Sequence, residues 1–115
     1  AAKEKIANNS RLNAVYIHAK KEICIGQNCV IAAGVNIIDS NGHILNSLNR
    51  TVGRDKPKEI IIGDNVWIGL NSIILKGTKI GNNSVVAAGS VVKGDFPENS
   101  IISGNPAIIV DEIKF

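Results

Sequence analysis

Two histidines, His18 and His43, are the side chains of this sequence best suited to taking up or releasing a proton near neutral pH. His43 closes the run Asp39-Ser40-Asn41-Gly42-His43 and stands directly before a basic stretch, Ile44 to Glu59, that carries Arg50, Arg54, Lys56 and Lys58. An imidazole in such a place suits general acid or base work, which is typically worth ~10²- to 10⁴-fold in rate. His18 has no partner motif around it and reads as an exposed or corner histidine. Cys24 and Cys29 are too few and too closely spaced for a disulfide framework and read as inert free thiols of a reducing compartment. A zinc centre with three histidine ligands asks for more histidines than the chain has, so no metal is expected.

What positions these residues is a repeat of six. Every sixth residue from Ile62 is Ile62, Ile68, Ile74, Ile80, Val86 and Val92. Three residues further on stand Asn65, Asn71, Gly77, Asn83, Gly89 and Asp95, and next to those Val66, Ser72, Thr78, Ser84, Ser90 and Phe96. The period is neither that of a helix nor the alternation of a strand. The aliphatic column can stack inward. The Gly, Asn and Asp column supplies residue types that tolerate φ > 0 at a turn, and the small column leaves room in a narrow interior. A short flat segment and a corner, repeated, predict a three-sided solenoid.

Taken in order, residues 1–24 read as an irregular or degenerate first coil, with Ala1 to Ser10 as a tail. Ile25, Ile31 and Ile37 begin a clear coil over Ile25 to Gly42; Ile62 to Lys79 and Ile80 to Pro97 are two more. Between Ile25 and Ile62 the register slips, and Asn49 and Asp55 are polar where the first register would bury them. Residues 44–59 are therefore predicted to be a protruding loop, the kind of place where function concentrates. Residues 98–115 read as a C-terminal cap, with Ile101 to Pro106 as a closing turn and Asp111 to Phe115 as a short helix or strand. The 115 residues make one domain, 44% apolar and 20% charged, which is enough to build a core. The few aromatics, Tyr16, Trp67, Phe96 and Phe115, suit a thin interior. A net charge of +3 without a Lys/Arg run interleaved with aromatics argues against nucleic acid. No apolar run approaches the ~20 residues of a membrane span. The sequence contains no Met, so Ala1 need not be its natural start.

Four motifs, DSNGH (Asp39 to His43), IGDNVWIG (Ile62 to Gly69), IGNNSVVAAGSVV (Ile80 to Val92) and SGNPA (Ser103 to Ala107), resemble those of the hexapeptide-repeat acyltransferases. Within that family the likeness is to the sugar and xenobiotic O-acetyltransferases, and it spans Ile25 to about Val110. The resemblance implies an all-β fold, a left-handed parallel β-helix. The handedness comes from it alone, since parallel crossovers are normally right-handed. It further implies transfer from acetyl-CoA to a hydroxyl of a sugar or related small molecule, in clefts between the subunits of a cytoplasmic homotrimer. His43 matches the family's catalytic histidine: it would take the hydroxyl proton and return one to the leaving thiol, with Asp39 or a backbone carbonyl holding the other ring nitrogen. Trp67 should point outward as a cleft wall or subunit contact, and Leu70, Ala88, Gly89 and Lys93 match or adjoin positions lining the CoA path. The chain departs from many relatives at Lys93-Gly94-Asp95, Ile108 and Asp111, which shifts or removes the usual cationic contacts to CoA phosphates. A non-catalytic trimerising or scaffold module is the alternative reading.

Overall fold

The computed structural model describes residues 3–115 and contains strands and turns, with no helix among the described residues. The first coil is β1 (Glu4–Ile6), β2 (Arg11–Leu12) and β3 (Tyr16–His18), and the second is β4 (Ile23–Ile25), β5 (Val30–Ile31) and β6 (Asn36–Ile38). The third is β7 (Ile60–Ile62), β8 (Trp67–Ile68) and β9 (Ile73–Ile74), and the fourth is β10 (Lys79–Ile80), β11 (Val85–Val86) and β12 (Val91–Val92). Then follow β13 (Asp95–Phe96), β14 (Ser100–Gly104) and β15 (Ala107–Glu112). Corresponding strands stack in three parallel sheets, ordered β1-β4-β7-β10-β13 on the first face, β2-β5-β8-β11-β14-β15 on the second and β3-β6-β9-β12 on the third. The fold is the left-handed parallel β-helix.

Strands of two or three residues have no stability of their own, so the stack carries them. Its cement is the aliphatic column, which pairs residue over residue: Ile25, Ile62 and Ile80 on the first face, Ile31, Ile68, Val86 and Ile102 on the second, Ile37, Ile74 and Val92 on the third. All ten are essentially sealed from solvent. The small column lies beside them. Ser72, Thr78, Ser84, Ser90 and Ser100 are buried, and each hydroxyl donates to a main-chain carbonyl, as Ser90 Oγ does to Ala87 O at 2.7 Å and Ser100 Oγ to Pro97 O at 2.6 Å. Among the described residues no buried side-chain nitrogen or oxygen lacks a partner, as burial of polar groups requires.

The corners are left-handed in φ. Asn28, Asn65, Asn71 and Asn83 stand at +55° to +66° and Gly34, Gly77 and Gly89 at +73° to +79°, a region that Gly and Asn tolerate best. Asn65, Asn83 and Asn99 form a side-chain ladder up one corner, each amide donating to the next carbonyl at 3.1 Å. The expectation for Asp95 differs from the structure. Gly94 takes the positive φ there, at +120°, and Asp95 is already the first residue of β13.

Both ends are more regular than the sequence suggests. Ala1 and Ala2 lie outside the described residues, but from Glu4 the expected tail is a strand, Glu4, Lys5 and Ile6 pairing with Ile23, Cys24 and Ile25. At the other end β14 turns through the cis Asn105–Pro106 bond into β15, which runs antiparallel to it.

Truncating one inward rung should cost far more than truncating an outward residue of the neighbouring coil. Ile74→Ala is expected to lower the unfolding free energy by about 2–5 kcal/mol, and Lys79→Ala by within about 0.5 kcal/mol. Denaturant titration checks this, and equal costs would show that the inward column is not what holds the coils together.

Candidate functional site

The chain leaves the stack after β6 and returns at β7, so residues 39–59 form an insertion at the corner between the third and first faces. Its base is closed by Lys58 N donating to Asp39 O at 2.8 Å, and Gly77 N donates in turn to Lys58 O at 3.2 Å. The closed segment exposes Leu45, Leu48 and Val52. His43 lies near its start, exposed to solvent, with Nδ1 at 2.8 Å from Arg50 O. A carbonyl can only accept, so Nδ1 carries the proton and the neutral ring presents a free lone pair on Nε2. Arg50 is itself pinned, its guanidinium donating to Leu45 O at 2.8 Å.

Asp39 does not meet His43. It is fully buried, and its carboxylate accepts the amides of Lys20 (2.8 Å, on Oδ1), Lys21 (2.8 Å) and Glu22 (2.9 Å, both on Oδ2). Strand alternation explains this: Ile37 points inward, Ile38 outward and Asp39 inward again, under the bend that ends the first coil. Asp39 thus fastens the first coil to the second, and the imidazole is held by the main-chain carbonyl instead.

The carboxylate that does act on this segment is Asp55, with a side chain only 7% exposed. Oδ2 accepts Asn41 N at 2.7 Å and Oδ1 accepts Gly42 N at 2.8 Å. Lys76 Nζ reaches Asp55 Oδ2 at 2.8 Å and Lys56 O at 3.1 Å. Burial raises the Asp55 carboxyl, but the Lys76 ammonium and the two amides outweigh it and hold it below its ordinary 3.8. In the sequence Asp55 shows only as a polar residue where a repeat would bury an apolar one, and Lys76 carries no signal at all.

The remaining expected residues divide between two recesses. Trp67, 55% exposed on the second face, lines an apolar hollow of about 320 Å³ with Ala32, Leu70, Ala87 and Ala88. Gly69 forms its floor, where a methyl group would stand 2.6 Å from Ala88 N. Gly89 is at the neighbouring corner, its amide donating to Leu70 O at 2.8 Å. Lys93 lies elsewhere, in a cationic recess of about 530 Å³ shared with Lys58, Lys76, Gly94 and Asp95. His43 lines neither hollow. Burial pushes both thiols up, and for Cys24 the Glu22 carboxylate that accepts its S–H adds to this, so neither is a poised thiolate. Among the described residues no three His, Cys, Asp or Glu side chains converge as metal ligands.

A triangular stack of six-residue steps, interrupted by one histidine-bearing loop, defines the class of hexapeptide-repeat β-helix proteins. Residues 23–38 and 59–93 match the family model described as the hexapeptide repeat of succinyl-transferase. A hexapeptide-repeat acetyltransferase of Vibrio cholerae superposes with a TM-score of 0.91 at 33% identity, over 98% of this chain and 64% of that one. Its complex with acetyl-CoA gives a TM-score of 0.69 at 30% identity, over 95% and 71%. The galactoside O-acetyltransferase of Escherichia coli is 40% identical over 80% of this chain and 45% of its own length. A protein of Saccharomyces cerevisiae, named only provisionally as an acetyltransferase, is 43% identical over 88% of this chain and 50% of its own. The chain belongs to the hexapeptide-repeat acetyltransferase family. It spans about half the length of the relatives it matches by sequence.

Two carboxylates, two outcomes are expected. Asp39→Ala strips the acceptor from three amides and should cost about 3 kcal/mol or more of unfolding free energy, since bonds to a charged acceptor contribute roughly 1.5–3 kcal/mol each; an unchanged denaturation midpoint would refute its anchoring role. Asp55, depressed in the folded state, holds Asn41 and Gly42 fully above pH 3.8 and releases them only as pH falls through its lower folded value. The NMR amide signals of those two residues should stay in place down to that pH and move below it.

Proposed function

We propose that this chain is part of an acetyl-CoA-dependent O-acetyltransferase acting on a hydroxyl of a sugar or related small molecule, with His43 as the general base. The observation that carries the reading is the His43 contact. Nδ1 bound to Arg50 O leaves Nε2 as the acceptor, unencumbered and on an exposed loop. The acceptor hydroxyl would give its proton to Nε2 while its oxygen attacks the thioester carbonyl. On collapse of the adduct the carbon–sulfur bond breaks and Nε2–H protonates the departing CoA sulfur. The relative bound to acetyl-CoA supports the donor, and the galactoside O-acetyltransferase supports a sugar acceptor.

The apolar hollow of Trp67, Leu70 and Ala88 suits the pantetheine arm, with Gly69 and Gly89 letting the chain approach closely, while Lys93 and Lys58 suit the phosphates, the Lys76 ammonium being engaged by Asp55. These recesses occupy different parts of one prism. A cleft formed between two chains would bring the apolar hollow of one against the His43 loop and cationic recess of the next. This favours a homotrimer with three shared clefts, and the exposed Leu45, Leu48 and Val52 give the loop an apolar surface for a neighbour. A cytoplasmic setting goes with this reading, because free thiols persist where the compartment is reducing.

Thiol release from acetyl-CoA, followed with a panel of sugars and the full-length protein, tests the assignment. His43→Ala should lower kcat by ~10²- to 10⁴-fold, whereas Leu70→Glu should chiefly raise the KM for acetyl-CoA. A His43→Ala rate equal to the parent's would remove the general base, and no turnover or acetyl-CoA binding at all would favour a scaffold module.

A further inference from the structure

We infer that the Asp55–Lys76 pair is the positioning device for His43, an inference that rests on His43 being the base. The two amides that Asp55 holds, those of Asn41 and Gly42, immediately precede the histidine. Each carboxylate oxygen takes one of them, so the backbone entering His43 is fixed in orientation as well as in place. Gly42 stands at φ +82°, the left-handed turn that presents these consecutive amides to one acceptor. Lys76 belongs to the corner between β9 and β10 on the third coil, and its ammonium ties Asp55 and Lys56 O to that rigid coil.

His43 is thus held from two directions. Its ring is held at Nδ1 by Arg50 O from within the loop, and its backbone is held through Asp55 and Lys76 from the scaffold. Without the carboxylate the loop would keep its closure at Lys58 N to Asp39 O and the Lys76 hold on Lys56 O, but neither reaches the residues next to His43, and the histidine could swing with the segment that carries it. A misplacement of ~1 Å at a reacting group costs on the order of 10²-fold in rate. The pair is also shielded, with side chains 7% and 22% exposed, which lifts it above the weak, screened ion pairs of open surfaces. Asp55 and Lys76 contact no reacting atom in this arrangement, and their effect passes through His43.

The test compares full-length Asp55→Asn, Asp55→Glu, Lys76→Gln and His43→Ala. Asp55→Asn is expected to unfold cooperatively like the parent, to keep the KM for acetyl-CoA within about twofold, and to lose roughly 10- to 100-fold in kcat. Asp55→Glu should restore part of that loss, and NMR should show the His43 ring signals displaced in Asp55→Asn. If Asp55→Asn does not fold, Lys76→Gln serves in its place, because it leaves the carboxylate–amide bonds and removes only the tether to the coil. A folded variant with the parent's kcat and unmoved His43 signals overturns the inference, and so does a loss confined to KM. An active His43→Ala fails the base assignment instead, and is recognised separately because the ring signals still report whether Asp55 positions the histidine.

Discussion

Each coil must come back over itself in register, because only then do the N–H and C=O groups of one short strand meet those of the next. From Ile62 to Ile80, from Ile68 to Val86 and from Ile74 to Val92 the return takes eighteen residues (80 − 62, 86 − 68, 92 − 74) and the partners pair directly. Two-residue strands tolerate no slip, since a shift of one would turn every inward aliphatic to solvent. The corners inherit the constraint. A sharp turn at a fixed place in each step drives the backbone to positive φ, which is why Asn and Gly recur there. The interior is then so narrow that its third column, from Cys29 to Ser90, holds only Val, Ser, Thr or Cys, and the hydroxyls among them find carbonyls within reach; Phe96, which the spacing put in this column, pairs with Ile80 of the aliphatic column instead.

The loop meets the same constraint by leaving the stack altogether. Thirty-seven residues separate Ile25 from Ile62 (62 − 25), nineteen more than a coil, yet the two still pair. An insertion of this kind is tolerable because the entropy of closure grows only slowly with length. What it does require is that its ends be fastened, and two carboxylates, one buried and one largely shielded, serve the fastening in different ways. Asp39 faces backward to the first coil, and Asp55 faces across the loop to Asn41 and Gly42. The scaffold thereby presents an irregular, chemically capable segment without losing its own periodicity.

The repeat was legible in the sequence because identical surroundings recur at identical spacing, and the columns from Ile25 onward and from Ile62 onward can be read directly. Trp67 facing outward follows from the same spacing. The first coil was harder to see, since its inward residues Leu12, Val15 and Ile17 are only partly buried and its outward ones vary. Closeness in sequence favoured Asp39 as the partner of His43, although strand alternation turns it inward. Asp55, twelve residues beyond the histidine (55 − 43), becomes its neighbour in effect only when the loop closes, and Lys76 comes from another coil. Such pairings depend on tertiary geometry that no local pattern encodes. Lys93 was readable as a cation but not as one remote from Trp67, because face and corner membership separate them.

The hairpin of β14 and β15 has a consequence for the molecule as a material. A column of parallel strands is open-ended, and a second copy could in principle continue it end to end into a filament. On the second face the column stops at a strand running the opposite way, with Ile108, Ile109 and Val110 exposed on it. A copy approaching in the direction of the coils would meet an antiparallel edge there and parallel ones on the other faces, so it could not continue all three columns in one geometry. On that face the chain's own hairpin, and not another coil, forms the end of the column.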